Sequence, residues 1–80
     1  QIGAHHAFYS YDDRPGIVGI VGKILGDARV NIENMQVGLL PNTKQAIMVL
    51  SLDHEISPAI NTAVAAAVGA DIAKVVPLAD

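Results

Sequence analysis

Cysteine and tryptophan are absent from the 80 residues, and the aromatic side chains are limited to Phe8, Tyr9 and Tyr11. Without cysteine no disulfide framework supports the fold, and with so few aromatics the core has to be built from aliphatic side chains. Basic residues are sparse as well, five Lys and Arg against eight Asp and Glu, for a net charge of −3. That balance lacks the basic footprint of a nucleic-acid binder and the polybasic patch of a membrane-surface binder, so neither partner is expected. Long apolar runs are also missing. The longest charge-free stretch, "ISPAINTAVAAAVGA", is interrupted by Pro58 and Asn61 and falls short of a bilayer span.

What remains is a short, aliphatic chain. Eighty residues make a single domain near the lower limit of independent folding, and a hydrophobic content of 51% leaves apolar surface to spare for a partner. The chain opens on Gln1 and is expected to be a piece, residues 1–80, from the C-terminus of a longer enzyme.

Residues 4–11, "AHHAFYSY", alternate loosely and suit a first strand. Pro15 then stands at the first position of a helix, with Asp13 as its capping acid. At about 100° per residue, Ile17, Val18, Ile20, Val21, Ile24, Leu25 and Ala28 share one face. Gly19, Gly22 and Gly26 fall on the opposite side with Lys23, although glycine inside a helix costs up to about 1 kcal/mol relative to alanine. Residues 31–40 read as a second strand with Met35, Val37 and Leu39 on one face. Ile32 has the wrong parity for that face, which predicts a bulge near Glu33 or Asn34.

"PNTK" is a tight turn, and "QAIMVLSLD" a third strand that is apolar on both sides. Ala46, Met48, Leu50 and Leu52 form one row, with Ile47 and Val49 in the other. Ser57 and Pro58 supply the N-cap and first residue of a second helix, closed by Gly69. "DIAKVVPL" gives a last strand, with Pro77 at an edge or terminal position. The order strand, helix, strand, strand, helix, strand is the α+β ferredoxin-like sandwich, a four-stranded antiparallel sheet with two helices on one face. The second row of the third strand, Ile47 and Val49, then points to the uncovered face and is expected to touch another subunit or domain.

Catalytic chemistry has little to stand on. Ser10, Ser51 and Ser57 lack a histidine in a recognisable arrangement, and no catalytic residue is expected. An acylphosphatase-like reading using Arg14 and an asparagine borrows only the fold. His5 and His6 are adjacent, so on a strand they point to opposite sides. His54, beside Asp53 and Glu55, lacks the spacing of a metal site, and no metal is expected. The glycine spacing is not that of a dinucleotide loop. "YDDRPG" is more promising, because a strand there hands over to a helix whose free amides favour a carboxylate. Asp13 could hold an ammonium group, so the pair of poles suits a free amino acid. The plainer alternative is that Asp13 only caps the helix.

These residues also carry a family resemblance. "YDDRPGIVGIVGKILGDARVNIENMQVG", "AIMVLSLD" and "AKVVPL" resemble an ACT domain over Ala7 to Leu78, and more narrowly the regulatory domains of D-3-phosphoglycerate dehydrogenases. The resemblance implies the ferredoxin-like sandwich, pairing as a homodimer, and an amino acid held at the seam between two copies. For that subgroup it implies L-serine as a feedback inhibitor of serine biosynthesis in a cytoplasmic, NAD-dependent oxidoreductase, with NAD bound by the parent enzyme and no cofactor here.

Carried over by position, the effector-holding residues are Tyr11, Asp13 and Asn31, the last contributed by the opposite copy in a dimer. Arg14, Pro15, Gly16 and Ile17 complete the set; their backbone amides, of which Pro15 has none, would face the carboxylate. Gly19 and Gly22 would leave the partner room to approach. After "MQVG" the family often has an arginine and a glycine-containing turn, where this chain has Leu39, Leu40 and "PNTK". A similar motif occurs in L-serine dehydratase subunits, and a dimerisation module with no effector is the remaining alternative.

Overall fold

A computed structural model describes residues 5–77. The element order is β1 (His5–Asp12), α1 (Ile17–Asp27), β2 (Ile32–Leu39), β3 (Gln45–Leu52), α2 (Pro58–Val68) and β4 (Ile72–Pro77). The strands form one antiparallel sheet in the order β2-β3-β1-β4, which is the α+β ferredoxin-like sandwich expected from the pattern. The expected strand ends at Ala4 and Leu78 lie outside the described residues.

Alternation along the central strands builds the core. Ala7, Tyr9 and Tyr11 of β1 pair with Leu50, Met48 and Ala46 of β3, and all six are buried. Onto this surface α1 lays Ile17, Val21 and Leu25, and α2 lays Val64 and Val68, all of them buried. Tyr9 also anchors α2 by donating its hydroxyl hydrogen to Asn61 Oδ1 at 2.7 Å. A register shift between Ile32 and Asn34 places the irregularity at Glu33, which resolves the parity conflict of Ile32. The second helix starts and stops as its sequence dictates: the Ile60 amide donates to Ser57 Oγ at 3.2 Å, and Gly69 takes the left-handed conformation, φ 67°.

The first helix departs from expectation in two ways. Its N-cap is Gly16, at φ 92° and ψ −9°, with no side-chain cap. Pro15 and Gly16 occupy the central positions of a tight turn whose second position needs positive φ, so Pro15 precedes the helix and Asp13 does not cap it. Its buried stripe is also narrower than the predicted face, because Val18 is 51% and Ile20 39% exposed. In β2, Met35, Val37 and Leu39 pair with the buried residues Leu50, Met48 and Ala46. Val37 and Leu39 are nevertheless exposed, because β2 is an edge strand.

Candidate functional site

The end of β1 and the start of α1 bring six of the seven expected effector residues into one connected turn. Tyr11, on the helix side of β1, is buried. Burial and the neighbouring Asp13 carboxylate raise its phenol above the ordinary value, while Arg14 pulls it down. Asp13 continues the β1–β3 ladder by donating its amide to the Lys44 carbonyl at 2.8 Å. Its exposed side chain takes no hydrogen bond among the described residues. Pro15 and Gly16 then swing the chain into α1.

That swing leaves the positive end of the helix open. The first amides of a helix have no intrahelical acceptor. Here glycine at the N-cap offers no side-chain oxygen, and the first turn contains no acidic residue. Ile17 itself is buried and fixes the turn to the core. The result is an uncapped set of donors in the same turn as an exposed carboxylate, chemistry that suits an anionic and a cationic group respectively.

Arg14 has a different position from the one its neighbours suggest. Its Nη1 donates to the Asp12 carbonyl at 3.2 Å and to the Val68 carbonyl at 3.1 Å, and Nη2 donates to the Ala67 carbonyl at 3.3 Å. The guanidinium thus closes the C-terminal end of α2, where the last carbonyls lack helical partners, and leaves its charge beside the turn.

Asn31 is not brought to these residues within one chain. It precedes β2 at the end of the sheet where Ile32 pairs with Leu52 and Leu52 with His5, whereas Tyr11 pairs with Ala46 at the other end. The separation is about 20 Å along the strands. Asn31 is exposed and held through its backbone: its amide donates to Asp53 Oδ1 at 2.9 Å, and its carbonyl accepts from the Asp53 amide at 3.1 Å.

The expected pairing residues divide between two surfaces. Added Cβ atoms at Gly19 and Gly22 would meet nothing within 4 Å, so that helix flank is open. Ile47 and Val49 are half-buried on the sheet face opposite the helices. Sequence reasoning missed the exposed Val37, Leu39 and Leu40 at the β2 edge. Their hydrophobicity was visible, but only the strand order shows that neither helix nor neighbouring strand covers them. Among the described residues, no three histidine or carboxylate side chains converge as a metal site would require.

The family model for the ACT domain matches residues 7–69. The chain belongs to the ACT domain family. Its relatives include D-3-phosphoglycerate dehydrogenase of Bacillus subtilis (strain 168), 41% identical over 56 residues that make up 70% of this chain and 11% of that protein. The same enzyme of Mycobacterium bovis is 41% identical over 68 residues, 85% of this chain and 13% of that one. This ACT domain therefore spans only about an eighth of the proteins it matches. Among solved structures, the ligand-free regulatory subunit of aspartate kinase from Thermus thermophilus shares its fold, with a TM-score of 0.70 and 19% identity over 96% of this chain and 54% of that one. No helix among the described residues of the ACT domain is long and apolar enough to cross a membrane.

Proposed function

We propose that this ACT domain binds L-serine and reports it to a D-3-phosphoglycerate dehydrogenase, the NAD-dependent cytoplasmic oxidoreductase of which it would form the regulatory part. ACT domains bind amino acids and commonly dimerise. The observation carrying the reading is the juxtaposition of uncapped α1 amides with the unpaired Asp13 carboxylate. The amides suit the effector's carboxylate, Asp13 its ammonium, and Tyr11 can offer a hydroxyl. Arg14, Pro15, Gly16 and Ile17 shape the turn that presents these groups.

Completion of the site calls for a second copy. A twofold axis at the β2 edge runs each β2 antiparallel to its counterpart. The partner's Asn31 then comes to the end of the sheet where Leu39 stands across from Ala46 and Ala46 from Tyr11. Exposed Val37, Leu39 and Leu40 at that edge supply apolar surface for the contact, and the bare flank at Gly19 and Gly22 lets a backbone come close. The serine would sit between the copies and join them.

Calorimetric titration with L-serine, glycine and other amino acids tests the ligand, and sedimentation with and without L-serine tests the seam. L-serine should bind and strengthen association by mass action. Silence toward every amino acid would leave a dimerisation module, and association indifferent to bound serine would overturn the shared site.

A further inference from the structure

The ladder between β2 and β3 stops one residue short of Asn31. Its last pair is Ile32 with Leu52, and its register shifts between Ile32 and Asn34, so regular pairing does not fix the backbone at Asn31. On the other side, Arg29 turns the chain out of α1 at φ 62°. The buried Val30 then anchors it by donating its amide to the Leu25 carbonyl at 2.9 Å.

Both backbone hydrogen bonds of Asn31 go to a single residue. Its amide donates to Asp53 Oδ1 at 2.9 Å, and its carbonyl accepts from the Asp53 amide at 3.1 Å. A regular antiparallel ladder would end the first of these on a main-chain carbonyl. The chain bends instead at Asp53 and His54, and the Asp53 carboxylate stands in for that carbonyl. A charged acceptor holds an amide more firmly than a neutral one. Two bonds to one residue close a ring that fixes the peptide planes on either side of Asn31. His54 Nδ1, at 2.8 Å from the same Oδ1, gives the carboxylate a second partner. The exposed Asn31 side chain, by contrast, takes no hydrogen bond among the described residues.

We propose, resting on the shared L-serine site above, that Asp53 is a positioning residue for effector binding. It orients Asn31 toward the effector gripped by the other copy's Asp13, and His54 steadies it. A side chain whose backbone is already fixed loses less freedom on binding. Loosening that support weakens affinity without removing any contact to the ligand. Asp53 therefore belongs functionally to the Asn31 half of the site, not to the half formed by Tyr11 and Asp13 of its own chain.

Calorimetry with L-serine on variants of the 80-residue chain is the test, with amide exchange followed by NMR. The Asp53 side chain is 34% exposed, so truncating it opens no hole in the core. Asp53→Ala should weaken serine binding about tenfold and speed exchange of the Asn31 amide, while amides of the β1–β3 ladder keep their rates. Asp53→Asn retains an oxygen that can accept the amide and should recover most of the affinity. His54→Ala should cost two- to threefold. Mixed with Asp13→Asn, the Asp53→Ala chain should restore full affinity at about a quarter of the sites; mixed with Asn31→Ala, it should restore none. Unchanged affinity in Asp53→Ala, where Asn31→Ala abolishes binding, overturns the positioning role and leaves the shared site standing. Faster exchange throughout the sheet also overturns it, since Asp53 would then serve the fold as a whole. If the unmodified chain binds no serine, or Asn31→Ala binds it undiminished, the shared site itself falls and the positioning role with it.

Discussion

Arg14 donates from Nη1 to the Val68 carbonyl at 3.1 Å, joining the turn before the first helix to the end of the second. Gly69 and Ala70 turn their own amides back onto the carbonyls of Ala66 and Ala65, so Ala67 and Val68 depend on the guanidinium for partners. Arg14→Ala should therefore destabilise the fold by about 1–2 kcal/mol, read as a lower urea midpoint. Arg14→Lys should recover only part of the loss, because an ammonium lacks the planar fork that reaches two carbonyls together.

Tyr9 makes the fold sensitive to alkali. Burial pushes its phenol up to about 12 from an ordinary 10.0, and its hydroxyl is committed to Asn61. The unfolded chain loses the proton first, so the stabilisation is complete below pH 10 and fades as pH rises toward 12. Its full extent is roughly 2–3 kcal/mol. Tyr9→Phe should cost about 1 kcal/mol near neutrality and flatten this part of the stability profile in denaturant titrations at stepped pH.

A substitution at Gly19 tests the proposed pairing apart from folding. Nothing lies within 4 Å of the Cβ that a substitution would add there, and valine is a better helix residue than glycine by a few tenths of a kcal/mol. Gly19→Val should leave the melting temperature unchanged or slightly higher while weakening dimerisation or serine binding. Unchanged pairing together with unchanged serine affinity would assign the glycine no role in the seam.

Shared sites predict complementation. Asp13→Asn and Asn31→Ala should each abolish serine uptake, since every site loses one of its groups. A mixed dimer of the two variants contains one doubly damaged site and one intact site. After random exchange, about a quarter of all sites should bind again, measurable by calorimetry on the mixture. No recovery in mixtures shown to exchange subunits would mean that both residues serve the same chain.

Much of this architecture is legible in local chemistry. The wrong parity of Ile32 announces the irregularity at Glu33, and Ser57, Pro58 and Gly69 mark both ends of α2 because each satisfies a specific backbone requirement. The start of α1 is misread for an equally local reason. Pro15 is as suitable for a turn as for a helix start, and the choice is made by the positive φ of Gly16. The exposure of Val18, Ile20, Val37 and Leu39 belongs to a different level. Their hydrophobicity is plain, but which of them is covered depends on strand order and helix placement. The same holds for the candidate site: the residues from Tyr11 to Ile17 adjoin in the chain and stay adjacent, whereas the distance to Asn31 emerges only once the sheet is assembled.

In the proposed shared site, the placement of Asp13 and Asn31 at opposite ends of one subunit would make effector binding inseparable from protein abundance. Diluting the domain would then unload it even at constant effector, because splitting the pair would dismantle each receptor into two incomplete halves. Such a device registers the product of two concentrations, its ligand's and its own.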